Sequence, residues 1–188
     1  MADDEWVPPL RADARRNRDA LLRAAAAGFA AGHDPTLEKI ARDAGVGIGT
    51  LYRHFPTRET LVEAVYRTEL AAVCESVEGL LAAHEPAVAL RRWMDRYAEF
   101  VTTKRGMAET FRAMLADGTV VAADTRAAID GAVGTLLAAG ARAGTLRGDV
   151  RADDVVTVLV GIFVATQGSD DRARLGRLLD LVMCAARR

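Results

Sequence analysis

Apolar positions recur at intervals of three and four along nearly the whole chain, and the period-two alternation of strands is absent. Alanine, the strongest helix former, is abundant. The pattern predicts an all-α chain of about nine helices. The first covers about Asp13 to Ala31, with Leu22, Ala25, Ala26 and Phe29 on one face and Gly32 as a stop. Two short helices follow, Leu37–Ala44, with Thr36 as N-cap, and Ile48–His54. "FPT" breaks the third helix, and Thr57 caps a long fourth, Arg58–Ala83, striped by Leu61, Val65, Leu70, Val73, Val77 and Leu80. The fifth, Pro86–Arg105, turns Leu90, Trp93, Met94, Tyr97, Phe100 and Val101 inward against an outer face of Arg91, Arg92, Asp95, Arg96 and Glu99. A sixth carries Met107, Phe111, Met114 and Leu115, and a seventh, Val120–Ala143, is rich in small residues. After the loop "GTLRGDV", helices over Ala152–Gln167 and Asp171–Ala186 close the chain.

Composition narrows the class without choosing a function. Hydrophobic residues make up 51% of the 188 and charged ones 27%, which is enough for a core and argues against disorder. No apolar run is long and uncharged enough to span a bilayer. The start, "MADDEWVPPL", is acidic and has no apolar signal core, so a cytoplasmic protein is expected, with residues 1–10 as a disordered leader. Cys74 and Cys184 both fall within helical patterns and read as reduced, buried thiols. Net charge is −1, yet between Arg11 and Arg67 ten basic side chains stand against seven acidic ones. That mild asymmetry permits an N-terminal module for an anionic partner without requiring one.

The stretch "GVGIGTLYRHFPTRETL", residues 45–61, carries the chemistry. A phosphate loop needs a strand before it, whereas "TLEKIARDA" precedes Gly45 as an amphipathic helix, and the Gly-Lys-Ser/Thr ending is missing. A catalytic His54 needs an orienting partner and a nucleophile or metal. His33, His54 and His84 are dispersed, and no Glu-x-x-His, Gly-x-Ser-x-Gly, Cys-x-x-Cys or His-Glu-x-x-His occurs. No catalytic residue, metal or cofactor is therefore expected. A helix-turn-helix explains more. Ala41 is the small residue at the crossing, Gly45 the turn, and Ile40, Ala44, Val46 and Leu51 the lock. Ile48, Thr50, Tyr52 and Arg53 are then left outward, a face suited to a DNA groove and its phosphates, with Gly47 and its neighbours letting the backbone come close.

Residues 14–66, and above all "IARDAGV…GTLYRHFPTRETL", resemble the TetR family of bacterial transcriptional regulators. "LRGDVRADDV" before the eighth helix is similar as well. The resemblance implies a DNA-binding helix-turn-helix domain over 11–56 and a ligand-binding and dimerisation bundle over 57–188. It places Thr50, Tyr52 and His54 on DNA, with Thr36 and Arg58 meeting the backbone. Arg58 stands where lysine is usual, and Gly47-Ile48 where many relatives have Ser-Lys, so Ile48 either packs or touches a thymine methyl.

The second half supports a pocket indirectly. Trp93, Met94, Tyr97, Phe100, Met107, Phe111 and Met114 concentrate aromatics and sulfur, with Tyr97, Thr102, Arg112 and Gln167 as polar neighbours. Two apolar stripes close the chain, Val155, Val156, Leu159, Ile162 and Phe163, then Leu175, Leu178, Leu179, Val182 and Met183. Together with the resemblance they imply an isologous homodimer, with Val155, Leu159, Phe163, Leu175, Leu178, Leu179 and Val182 at the interface; the alternative is that both stripes pack only within the monomer. The resulting expectation is a regulator, most simply a repressor released from a palindromic double-stranded operator by an unknown small-molecule effector, and not an enzyme. The alternative is a helical small-molecule-binding protein or enzyme whose DNA-binding module is unused.

Overall fold

The computed structural model describes residues 9–31, 34–103, 122–166 and 171–188. Among them every regular element is an α-helix: α1 (Pro9–Ala30), α2 (Leu37–Asp43), α3 (Ile48–His54), α4 (Arg58–Ala83), α5 (Pro86–Thr103), α6 (Ala122–Arg142), α7 (Ala152–Ala165) and α8 (Arg172–Ala186). The predicted sixth helix, with Met107, Phe111, Met114 and Leu115, lies outside the described residues. α1 starts earlier than the periodicity indicates. Proline is tolerated in a first helical turn, where its missing N–H would have had no helical acceptor.

The chain divides into two compact units, one of Met1–Arg67 with Thr103–Val120 and the other of Thr68–Thr102 with Val121–Arg188. The first unit is built on Leu21, Leu22, Ala25 and Phe29 of α1, Ile40 and Ala41 of α2, Leu51 of α3, Phe55, and Leu61, Val62 and Val65 of α4. Its short helices depend on their ends. The Thr36 hydroxyl accepts the Lys39 backbone N–H at 3.2 Å to cap α2. Gly45, at φ 70°, ends α2. The N–H groups of Gly45 and Val46 donate to the carbonyls of Arg42 and Ala41, both at 3.0 Å, which closes a Schellman turn between α2 and α3. Thr57 and Thr60 cap α4 reciprocally, each backbone N–H reaching the other's hydroxyl at 3.3 Å. Gly28 is required by close approach, since a Cβ there would lie 2.8 Å from Pro35 Cγ.

The second unit packs α6 on α7 and α7 on α8. Trp93 of α5 is fully buried, and its indole Nε1–H donates to the Val73 carbonyl of α4 at 3.1 Å. Arg91 ties α5 to α8, donating from Nε to Asp180 Oδ1 at 2.9 Å while also pairing with Asp95. Arg126 of α6 reaches the Asp153 carbonyl and the Thr157 hydroxyl of α7, both at 2.8 Å. The chain end is pinned by an isolated antiparallel bridge between Leu146 and Arg187. Both cysteines are free. Cys74 is half-buried, with its thiol pKa pushed up by desolvation and by Glu75. Cys184 is exposed, which corrects the buried reading: it sits on the solvent side of α8, a face the helical period alone does not identify.

Candidate nucleic-acid interface and apolar faces

α3 is positioned by Leu51, which is buried without exposure, and by Phe55 just past its end. Leu51 and Phe55 lie on one side, and the opposite side is what the protein presents. Ile48 is 38% exposed and Tyr52 46%, Arg53 is exposed, and Thr50 and His54 are half-exposed. Gly47 is the N-cap of α3 and supplies no capping side chain, so the first intrahelical bonds run from the N–H groups of Thr50 and Leu51 to its carbonyl at 2.9 and 3.2 Å. A Cβ added at Gly47 or Gly49 would meet nothing within 4 Å. The fold therefore leaves open space beside α3 that it does not fill.

Two predicted contacts are already occupied within the protein. Thr36 spends its hydroxyl on the α2 cap, though the residue stays exposed. Arg58 donates from Nη1 to the Pro35 carbonyl at 2.8 Å, pairs through Nη2 with Asp34, and lies over the Phe29 ring at 5.5 Å. It clasps the start of α4 to the connection between α1 and α2. The sequence showed its charge and missed its partner, because Asp34 is 24 residues away in the chain. Arg18 of α1 was not singled out by sequence either, yet its guanidinium lies 5.5 Å over the Phe55 ring and braces the end of α3. Beside Arg58, Glu59 is held below the usual carboxylate range by backbone N–H bonding at the helix start, then by the Thr57 hydroxyl. It stays ionised at neutral pH.

The described part of the predicted effector site is packed. Trp93, Met94, Tyr97 and Phe100 are all buried. Tyr97 stacks on Trp93 at 5.4 Å and on Phe100 at 6.1 Å, and meets Phe163 edge-on at 5.3 Å. Thr102 donates to the Glu99 carbonyl within its own helix at 3.0 Å. Met107, Phe111, Arg112, Met114 and Gln167 lie outside the described residues.

The predicted dimer residues differ in exposure. Val155, Leu159, Phe163, Leu179 and Val182 have little surface open within a single chain, while Leu175 and Leu178 are half-exposed; Val155, Leu178 and Val182 line the groove between α7 and α8. The more exposed apolar side chains of these two helices are Val158 at 50%, Leu181 at 64% and Val164 at 64%, with Val160. Val158, Ile162, Leu178 and Leu181 line a groove of about 510 Å³ between α7 and α8. The mixture has a physical cause. α7 is apolar nearly all round, so its pattern does not say which stripe faces the protomer and which faces out.

Two family patterns match the chain. That of the bacterial regulatory proteins, tetR family, covers residues 21–65. That described as transcriptional regulator SbtR-like, C-terminal domain, covers residues 85–184. The chain is similar to the crystal structure of a TetR transcriptional regulator from Streptomyces coelicolor, with 48% identity and a TM-score of 0.78 over 90% of this chain and 98% of that one. A TetR transcription regulatory protein from Mycobacterium vanbaalenii is 35% identical, with a TM-score of 0.72 over 96% of this chain and 100% of that one. A TetR-like regulator from Mycobacterium smegmatis, solved in complex with proflavine, shares the fold at 21% identity and a TM-score of 0.56 over 91% of this chain and 94% of that one. No curated protein matches the chain.

Proposed function

The chain belongs to the TetR family of bacterial transcriptional regulators and is a DNA-binding regulator, and we propose that it is a cytoplasmic repressor, released from a palindromic operator by a small-molecule effector. The observation that carries this reading is α3, locked inward by Leu51 and left with Ile48, Thr50, Tyr52, Arg53 and His54 on its open side. Tyr52 and His54 meet phosphates, and Thr50 meets a phosphate or a base edge. The reading head spans 11–56. The remainder, 57–188, senses and dimerises, with the effector held near Tyr97. The protein works by binding and not by catalysis.

Two copies join through the groove of Val158, Ile162, Leu178 and Leu181, where each buried aliphatic side chain contributes about 1.5–3 kcal/mol. An isologous pair of reading heads reads an inverted repeat. α4 is one uninterrupted helix whose start belongs to the first unit and whose remainder belongs to the second. An effector that favours a DNA-incompetent pose of α4 shifts the population, and a coupling of about 1–3 kcal/mol changes operator affinity about 5–150-fold. The test is selection of bound duplexes from a random double-stranded pool by the full-length protein. An inverted repeat should emerge, and a gel shift on it should weaken as salt rises. Failure to enrich any sequence removes the DNA-binding assignment of α3 and favours the small-molecule-binding alternative.

A further inference from the structure

Across Gly47 to Gly49, the N-cap and first two positions of α3, Ile48 carries the one side chain. Gly47 and Gly49 flank Ile48, and the space beside both glycines is open. Ile48 is not part of the core of its unit, which is complete without it. Among the described residues of that unit, the exposed large hydrophobic side chains are Ile48 and Tyr52, and both lie on α3, four residues apart. An isoleucine more than a third exposed at the start of a reading helix, between two residues cleared of side chains, offers apolar surface to whatever docks there.

We propose that Ile48 determines sequence specificity by packing on the 5-methyl group of one thymine in each half-site. This rests on the DNA-binding reading above. The chemistry selects the target. In the major groove the base edges present hydrogen-bond donors and acceptors, and the thymine methyl is their apolar group. A branched aliphatic chain against any other edge desolvates a polar atom without bonding it. The two flanking glycines let Ile48 reach the floor of the groove before a neighbouring side chain meets the bases. Thr50 and Tyr52, with their hydroxyls, then work on phosphates or on a separate base. The first turn of α3 thus reads shape and one methyl, where a polar side chain would read a hydrogen-bonding edge.

The experiment uses the full-length protein and the duplex that it enriches from a random pool. Each thymine of one half-site is replaced in turn by uracil, which removes the methyl and keeps the base-pairing edge. The parent should lose about fourfold in affinity at one such position, the factor that corresponds to ~0.8 kcal/mol for burying one carbon group. Ile48→Ala should bind thymine and uracil duplexes equally at that position and should treat the other positions as the parent does. Ile48→Val, which shortens the chain but keeps the branch, should fall between. Ile48 is outside the core, so both variants should melt like the parent. A uracil scan with no position whose methyl effect disappears in Ile48→Ala overturns the proposal while leaving DNA binding intact. A parent that enriches no duplex removes the DNA reading itself, and with it this one.

Discussion

The two units solve the burial problem to different degrees. In the first, the large apolar side chains exposed among the described residues are Ile48 and Tyr52, and both lie on the open side of α3. In the second, Val158, Val160, Val164 and Leu181 stay exposed on α7 and α8 although the same helices also feed a protomer core through Val156, Leu159, Phe163 and Leu179. The first unit closes its core within one chain, and the large apolar side chains it leaves open are confined to α3. The second leaves a broader aliphatic surface open, which suits a second copy of itself.

The largest effects should come from the part of the second unit that is complete. Trp93→Ala removes a fully buried indole and its bond to Val73, and should cost about 3–5 kcal/mol in urea unfolding. A loss below about 1 kcal/mol would mean that the aromatic stack is not the core of that unit. A smaller effect is expected from Leu181→Ala on the open face. It should leave protomer stability nearly unchanged and weaken the dimer by about 1.5–3 kcal/mol, roughly ten- to 150-fold in dissociation constant. Leu159→Ala, on the opposite side of α7, should destabilise the protomer by about 2–5 kcal/mol. Analytical ultracentrifugation and melting together separate the two. If Leu181→Ala dimerises as tightly as the parent, the groove between α7 and α8 is not the interface and the contrast between the units fails.

The same contrast explains what could be read from the sequence. The head was legible nearly residue by residue, because its short helices carry local signals: Thr36 and Thr57 cap, Gly45 takes the positive φ, and Leu51 and Tyr52 have neighbours of opposite polarity. The bundle was legible as helices but not as faces. α7 has apolar residues on all sides, and no local rule separates Leu159 from Val158. Ion pairs between distant positions were invisible for a related reason. The Asp34–Arg58 and Arg91–Asp180 pairs join residues far apart in the chain, and nothing in either neighbourhood names its partner.

Arg58 provides the next test, smaller than the core changes. If it is a clasp, Arg58→Ala should cost on the order of 1.5 kcal/mol, since the bond to the Pro35 carbonyl is part-buried while Asp34 is exposed and contributes little. The salt dependence of operator binding should keep its slope. If Arg58 is instead a phosphate ligand, as the family resemblance implies, stability should hold and the log–log slope should fall by about 0.9. Asp34→Asn separates the two further. It loosens the clasp and leaves Arg58 available, so a phosphate role predicts tighter DNA binding and a clasp role predicts a slightly less stable head.

The smallest expected effect on stability is also the one that asks most directly what the head's surface is for. Gly49 lies in the first turn of α3 without a positive φ, and a Cβ there would touch nothing in the protein. Alanine costs a helix less than glycine does, so Gly49→Ala should stabilise the protein by about 0.5–1 kcal/mol. A chain of this length should then melt about 1–4 °C higher. By folding criteria alone the substitution is an improvement. If α3 brings its backbone against the base edges so that Ile48 can reach the groove floor, however, the added methyl stands in the way of the DNA. Affinity for the selected duplex should then fall about tenfold, the effect of a ~1.4 kcal/mol overpacking penalty. Thermal melting and a binding titration on the same preparation should therefore move in opposite directions. A variant that melts higher and binds as tightly as the parent would show that the backbone at Gly49 stays clear of DNA, and that the glycine serves neither the fold nor the contact.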